Sequence, residues 1–226
     1  MSEEWSGFDA VRAALDAGSR VLLLVRHGER MKIDHDDPTF GAAIPLTEEG
    51  RRTAAAFGRE LAHYADDVQF CASPLRRTVM TAEDIAAGMG VAAPEIAEDD
   101  MIGNGSAFFA DRLEVWRQFR DGHFFAKMTE YMTRGKVAGF ADNAEATVAY
   151  ERHVLSRFTA RLGVFTTHDV FVAAYLYGKG VKRDWTPENW PHFLDAAALV
   201  IPPQGAMSVH FVRTGLSDGI VGVRQS

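Results

Sequence analysis

The sequence predicts an α/β fold: a three-layer sandwich with a mostly parallel central sheet, helices on both faces and a helical insertion over one edge. Three short apolar runs, at residues 21–25, 68–72 and 163–167, have the length and composition of buried strands. Patterns with the period of an amphipathic helix lie between these runs. Strands that alternate with helices in this way are typical of a parallel sheet.

Length and composition predict one domain, residues 1–226, with the helical insertion at about 104–150. The chain is 47% apolar, which is sufficient for a sizeable core. Its formal net charge of −7 argues against a broad surface for nucleic acid or membranes. Residues 1–20 lack the apolar segment of a secretion signal, and no later run is long enough to span a bilayer. The single Cys71 is expected in the core without a disulfide, so we predict a cytoplasmic protein.

The strand at 21–25 leads directly into Arg26, His27, Gly28 and, two residues later, Arg30. In an open α/β sheet, ligands bind at the carboxyl ends of such strands. A glycine allows the backbone to turn sharply there, and guanidinium groups can bind the oxygens of a phosphate in a fork. From these residues alone, a phosphate site and a strand end with solvated charges are equally good interpretations.

Helices are predicted on either side of this strand. Residues 8–17 form a short amphipathic helix, and a second helix runs from an N-cap at Thr47 to about His63. The loop between them, residues 31–45, contains four consecutive polar residues at 34–37. Their spacing is not that of regular metal ligands, so a solvated loop is the favoured interpretation.

The second buried strand, 68–72, is followed by another predicted helix. Ser73 is a candidate N-cap and Pro74 suits a first helical turn, and the helix would run to about Ala87. Arg76 would then lie near a helix N-terminus, where backbone N–H groups favour an anion.

The middle of the chain has a different pattern. A third strand is predicted at 92–97, whereas 104–150 interleaves aromatic and charged residues without a buried strand. We interpret this segment as helical, with its aromatic side chains serving mainly in packing. A further helix is predicted at 144–162, with Val148 and Leu155 among its inward residues.

The strand at 163–167 repeats the design of the first one, since it ends in His168 and Asp169. A helix at 171–177 follows it. The chain closes with three predicted strands, at 196–201, 207–213 and 220–223.

Several of these segments together resemble the histidine phosphatase superfamily, the phosphoglycerate mutase and acid phosphatase clan. The family's Arg-His-Gly stands at 26–28, and Arg30 completes its acid-phosphatase form, Arg-His-Gly-x-Arg. A Leu-Thr-x-x-Gly segment occurs at 46–50, and Ser73, Arg76 or Arg77, Thr81 and Ala82 match a further motif. His168 resembles the second catalytic histidine, and His168-Asp169 resembles the acid-phosphatase branch.

The resemblance implies a metal-independent phosphatase that hydrolyses a small phosphomonoester through a phosphohistidine, without a cofactor. His27 would be the nucleophile, His168 a second catalytic histidine and Asp169 the proton donor. Four arginines would bind the substrate: Arg26, Arg30, Arg77 and, as second choice to Arg77, Arg76. The acidic cluster at 98–100 is the alternative source of the proton, as in the mutase branch. A phosphoglycerate-mutase-like isomerase and a non-catalytic phosphate-binding module are the alternative functions, and the oligomeric state is not predicted.

Overall fold

Seven strands form a single sheet in the computed structural model, which describes residues 4–34, 37, 39–120 and 123–222. In chain order they are β1 Glu4–Ser6, β2 Arg20–Arg26, β3 Val68–Ala72, β4 Ile96–Glu98, β5 Leu162–Thr167, β6 Ala196–Ile201 and β7 Ser208–Arg213. Their order across the sheet is β1-β7-β6-β2-β5-β3-β4. Only β6 is antiparallel to its neighbours, which makes the sheet mostly parallel, as predicted.

Seven α-helices are found in the described part of the chain. They are α1 Asp9–Asp16, α2 Glu48–Glu60, α3 Arg76–Met89, α4 Arg112–Arg120, α5 Phe124–Arg134, α6 Asn143–Arg157 and α7 Asp169–Gly178. Short 3-10 helices occupy Ala62–Asp67 and Asp100–Ile102. None of the helices that the structure describes is both long and apolar enough to span a membrane.

Strand β2 separates two hydrophobic cores. Leu22 and Leu24 face a core shared with α4, α5, α6 and α7, whereas Val21, Leu23 and Val25 face a core shared with α1, α2 and α3. Alternate residues of a strand point to opposite faces, so a strand buried on both sides is apolar throughout. This arrangement confirms the predicted three-layer α/β sandwich.

The carboxyl ends of β2, β3 and β5 meet at one edge of the sheet because these three strands are parallel neighbours. Arg26 of β2 is level with Thr167 of β5, and Ala72 of β3 is level with Thr166. The residues that follow each strand therefore emerge side by side. This edge is where the predicted functional residues lie.

Most predicted elements are found within a few residues of their expected bounds, and the helix after β3 differs at its start. Leu75 is the N-cap of α3 and makes no side-chain cap, so the predicted cap at Ser73 is wrong. The Ser73 hydroxyl instead contacts the Thr78 hydroxyl and His168. The hydroxyl group that would have capped the helix locally therefore makes a tertiary contact instead.

The predicted helix at 144–162 is too long. It ends at Arg157, because the apolar Leu162 belongs to β5 and not to the helix face. Val148, predicted to face inward, is 57% exposed. An apolar residue at helical spacing is therefore insufficient to define a buried face.

Two further strand predictions differ from the structure, and one strand was missed. The third strand is Ile96–Glu98 instead of 92–97, and β1 was not predicted at all. Residues 220–222 form no strand, and Val223 lies outside the described residues, as do His35 and Asp36 of the polar cluster at 34–37. The pairing of β1 with β7 depends on a partner about 200 residues away, which no local pattern reveals.

Helices α2 and α3 pack with their backbones in contact. A Cβ atom on Gly58 would lie 2.0 Å from the carbonyl oxygen of Ile85, and one on Gly88 would lie 2.1 Å from that of Ala55. Backbone atoms in packed helices have little freedom to move away, so only glycine fits these positions.

We expect Gly58→Ala to destabilise the protein by about 3 kcal/mol or more, because the added methyl group meets main chain on the facing helix. Urea unfolding measures this change in the free energy of unfolding. Arg59→Ala on the exposed side of α2 is the matched control and should stay within about 0.5 kcal/mol of the wild type. A small effect at Gly58 would mean that the two helices are less closely packed than described.

Candidate active site

The end of β2 fixes the first histidine of the site. His27 is 2% exposed, and its backbone N–H donates to the carbonyl oxygen of Thr167 at 3.0 Å. Its ring Nδ1 lies 2.8 Å from the carbonyl oxygen of Gly28, which can only accept a hydrogen bond. Nδ1 therefore carries the proton, and Nε2 keeps its lone pair.

Gly28 is held in place from the opposite side. Its N–H donates to Thr81 Oγ1 at 3.0 Å, and a Cβ atom on Gly28 would come within 3.0 Å of the carbonyl oxygen of Gly50. The start of α2 and the first half of α3 thus both pack against the turn that orients His27.

The second histidine comes from the end of β5. The ring centroid of His168 is 5.4 Å from that of His27, and His168 is 6% exposed. Its Nε2 lies 2.9 Å from Ser73 Oγ, and Arg77 Nη2 lies 3.5 Å from its Nδ1. Because the guanidinium can only donate, this contact leaves Nδ1 as the acceptor and Nε2 as the donor to Ser73.

The structure separates the two arginines that the sequence left as alternatives. Arg77 is 3% exposed and its Nη1 donates to the carbonyl oxygen of Gly41 at 2.7 Å, next to His168. Arg76 is exposed and lies outside this group of side chains. Arg76 and Arg77 are consecutive residues in the first turn of α3. Neighbouring residues of a helix point in different directions, which explains why one side chain is exposed and the other is buried.

Arg26 is 1% exposed and is held by the main chain of two distant loops. Its Nη1 donates to the carbonyl oxygen of Pro191 at 2.5 Å, and its Nη2 donates to that of Ile220 at 2.6 Å. The ring of Phe193 lies 4.2 Å below the guanidinium carbon. Main-chain acceptors therefore hold the positive charge of Arg26 in a fixed position.

Asp169, the first residue of α7, lies beside Arg26. Its Oδ2 is 3.5 Å from Arg26 Nη2 and accepts a hydrogen bond of 2.9 Å from the indole Nε1 of Trp190. The side chain is 21% exposed, so solvent or a ligand can reach it. The carboxyl group is thus held at the border between the buried arginines and the solvent.

Burial and mutual repulsion shift the pKa values of the basic groups downward. Burial lowers the pKa of His27 well below its usual range, and the charge of Arg77 acts in the same direction. The pKa of His168 is lowered for the same two reasons. Burial also lowers the pKa of Arg77 to about 9 and that of Arg30 to about 10. The histidines are consequently neutral at physiological pH, while the arginines stay charged.

The buried Arg26 and Arg77 and the half-buried Arg30 share an unusual feature. The Nε atoms of Arg26, Arg30 and Arg77 are buried without a hydrogen-bond partner among the residues that the structure describes. Buried donors are normally paired, because leaving one unpaired costs about 1–3 kcal/mol. Three such groups at one sheet edge indicate a site shaped for an anion.

The acidic cluster at 98–100 is placed differently. Asp99 is buried, and its Oδ2 lies 2.7 Å from Nε2 of His153 on α6. Glu98 and Asp100 are exposed. In the described residues, no group of three histidine, cysteine or acidic side chains is arranged to hold a metal ion.

The aromatic side chains of the insertion pack mainly on one another and on the core, in line with the prediction. Phe109 contacts the rings of Phe140 and Phe171, at 5.5 Å and 5.0 Å between centroids. The ring of Phe171 is in turn 6.0 Å from that of His168. Phe171 of α7 therefore lies between the aromatic side chains of this segment and His168.

Sequence reasoning missed the segment 189–195, which enters the site at the start of β6. Its Trp190 donates a hydrogen bond to Asp169, and the ring of its Phe193 packs against the guanidinium group of Arg26. Its Asp195 forms an ion pair with Arg213 at 2.8 Å. The segment has no periodic pattern and no resemblance to a motif. Its adjacent Trp190 and Pro191 were the one available signal that it packs tightly.

We expect acid to destabilise the protein through its two buried histidines. The unfolded chain takes up protons near the ordinary pKa of about 6.5, whereas the folded protein does not. The free energy of unfolding should therefore fall below that pH, by about 1.4 kcal/mol per pH unit for each histidine. Urea unfolding between about pH 7.5 and pH 5 measures the slope, and His168→Asn should reduce it by one such increment.

Exposed His63 provides the control for this measurement. His63→Asn should retain the slope of the wild type, since it leaves both buried histidines of the site unchanged. An unchanged slope in His168→Asn would show that His168 is not kept neutral by burial.

Comparison with known proteins agrees with the geometry. Residues 22–102 match the family model of the histidine phosphatase superfamily (branch 1), a segment that includes His27 and Arg77 but ends before His168. No curated protein matches the chain in sequence.

Solved structures with the same fold cover most of the chain. The mycobacterial glucosyl-3-phosphoglycerate phosphatase has 16% identity and a TM-score of 0.54, over 86% of this chain and 98% of its own. Phosphoserine phosphatase from Entamoeba histolytica, in complex with 3-phosphoglyceric acid, also has 16% identity and a TM-score of 0.54, over 87% and 98%. YhfR from Bacillus stearothermophilus has the same two values, over 84% and 95%. The match at 22–102 and the shared fold confirm that this chain resembles the histidine phosphatase superfamily.

Proposed function

We propose that the protein is a phosphatase that hydrolyses a small phosphomonoester through a phosphohistidine on His27. One observation carries the proposal: the contact of Nδ1 with Gly28 leaves Nε2 of a neutral, buried histidine as a nucleophile among buried arginines. An imidazole nucleophile must be unprotonated and held in one tautomer, and both conditions are met here.

The first step transfers the phosphoryl group to the enzyme. The lone pair of His27 Nε2 forms a bond to phosphorus while the bond from phosphorus to the ester oxygen breaks. The departing oxygen keeps that electron pair and takes a proton from Asp169. Positive charge from Arg26, Arg30 and Arg77 stabilises the phosphoryl oxygens in the transition state, which is the main source of catalysis in such reactions.

The second step returns the enzyme to its starting state. A water oxygen attacks phosphorus, the bond from phosphorus to Nε2 breaks, and that electron pair returns to His27. Asp169, now ionised, accepts a proton from the water. Inorganic phosphate leaves, and each proton and bond of the cycle is accounted for.

The role of His168 follows from its contacts. In the structure Nδ1 of His168 accepts from Arg77, but the hydroxyl of Ser73 can either donate or accept, so the ring can change tautomer when a phosphate binds Arg77 and can then donate from Nδ1 to a phosphate oxygen. We propose that it binds the phosphoryl group together with Arg77. Exposed Arg76 has no part in this proposal.

The names of the structural neighbours support a small phosphorylated substrate. They include phosphatases of glucosyl-3-phosphoglycerate and phosphoserine, and one of them is described in complex with inorganic phosphate. A net charge of −7 outside a local cationic site also fits a small anion better than nucleic acid. A single buried Cys71 fits the proposed location in the cytoplasm.

We expect His27 to carry phosphate during turnover. Enzyme quenched with base while it hydrolyses p-nitrophenyl phosphate should contain a phosphate that is stable in base and labile in acid, because a phosphohistidine has those properties. His27→Ala should lose both this phosphate and turnover, whereas exposed His63→Ala should keep both. Full turnover by His27→Ala would refute the proposed intermediate.

Hydrolysis should survive chelation, because arginines supply the charge that a metal ion supplies in other phosphatases. Activity on p-nitrophenyl phosphate is measured before and after dialysis against EDTA, with a metal-dependent phosphatase treated in parallel as control. Loss of activity that a divalent ion restores would mean that the arginines do not act alone.

Asp169→Asn should slow an alkyl phosphate far more than p-nitrophenyl phosphate, whose leaving group needs little protonation. General acid catalysis contributes about 10²–10⁴-fold, and this is the expected loss in kcat/KM for glycerol 2-phosphate. Asp100→Asn in the exposed acidic cluster is the control and should behave as the wild type. A selective loss from Asp100→Asn instead would move the proton donor to the cluster, as in a mutase.

A further inference from the structure

The indole of Trp190, a residue of segment 189–195, is hydrogen-bonded to the carboxyl group of Asp169. Trp190 Nε1 donates to Oδ2 of Asp169 at 2.9 Å, and Trp190 is only 2% exposed. The same Oδ2 lies 3.5 Å from Arg26 Nη2. One hydrogen bond and one ion pair thus converge on the same oxygen of the carboxyl group.

We propose that Trp190 is a positioning residue that keeps the transferable proton of Asp169 on Oδ1. A proton on Oδ2 would displace the indole N–H and place a hydrogen opposite the guanidinium, whereas a proton on Oδ1 leaves both contacts intact. The inference rests on the proposed function, because it assigns Trp190 a role only if Asp169 is the acid.

Trp190 is itself held rigidly. Its carbonyl oxygen accepts a hydrogen bond from Arg213 at 3.0 Å, and the rings of Phe124 and Phe125 each pack edge-on at 5.4 Å between centroids. The next residue, Pro191, accepts from Arg26. Neither the backbone nor the ring can turn freely, so the direction of the indole N–H is fixed.

This rigidity has a chemical consequence. A general acid must keep its proton within hydrogen-bond reach of the leaving oxygen. An aspartate at the border of a pocket, 21% exposed, could rotate or exchange its proton between the two oxygens. Trp190 removes that freedom, and it does so without contacting the substrate.

Trp185 offers a matched control in the same aromatic cluster. Its ring centroid is 5.7 Å from that of Trp190, yet its indole nitrogen has no hydrogen-bond partner among the described residues. Replacing either tryptophan by phenylalanine removes the same atoms from the ring, and only Trp190→Phe removes a hydrogen bond to Asp169.

The experiment measures kcat/KM of both variants for glycerol 2-phosphate and for p-nitrophenyl phosphate. Trp190→Phe should lose on the order of 10-fold or more with glycerol 2-phosphate and keep most of its rate with p-nitrophenyl phosphate. Trp185→Phe should keep the wild-type ratio of the two substrates. Equal losses on both substrates in Trp190→Phe, including a failure to fold, would make Trp190 a packing residue and overturn the inference.

A double variant separates positioning from an independent effect. If Trp190 acts through Asp169, adding Trp190→Phe to Asp169→Asn should cause no further loss with glycerol 2-phosphate. A further loss would overturn the inference. The proposed function fails on a different result, namely a wild-type protein without phosphatase activity or without phosphate on His27.

Discussion

Three guanidinium groups at one sheet edge, those of buried Arg26 and Arg77 and of half-buried Arg30, are the constraint on which the rest of the site depends. Each repels the others, and burial removes the water that would otherwise stabilise their charges. The fold compensates for this mainly with the main chain, since Arg26 and Arg77 are bonded to the carbonyl oxygens of Pro191, Ile220 and Gly41. Carbonyl groups offset part of the charge without neutralising it, which is why we propose this edge as the site for an anion.

Burial and the same positive charge both act on the two histidines. Burial disfavours a proton on His27 or His168, and such a proton would also add another charge to the cluster, so both stay neutral in the folded protein. Neutrality gives His27 its lone pair, and the Gly28 carbonyl decides which nitrogen keeps it. The proposed nucleophile and the proposed anion site are therefore products of one electrostatic arrangement, and the expected acid sensitivity of the fold follows from the same arrangement.

Strand direction decides which parts of the chain can join this arrangement. β2, β3 and β5 are parallel, so their carboxyl ends deliver His27, the start of α3 and His168 to one edge. β6 is antiparallel, so its amino end lies at that edge and brings segment 189–195 with it. Because β6 runs in the reverse direction, the residues that precede it, including Trp190 and Phe193, lie at the site. In a fully parallel sheet, the residues that follow β6 would lie there instead.

The sequence by itself determined the sheet and the chain positions of the candidate site. Buried strands such as β2 are apolar over their whole length, and Arg26, His27, His168 and Asp169 stand where those runs end. Local patterns suffice for this because the period and length of an apolar run reflect how that segment alone is buried.

Only the tertiary structure decided how these residues are held. It buried Arg77 and exposed Arg76, directed Ser73 to His168 instead of to a helix cap, and joined Trp190 to Asp169. The bond from Arg26 to Pro191 connects residues 165 positions apart. Such contacts depend on the order and direction of strands across the sheet, which no periodicity within a single segment can encode.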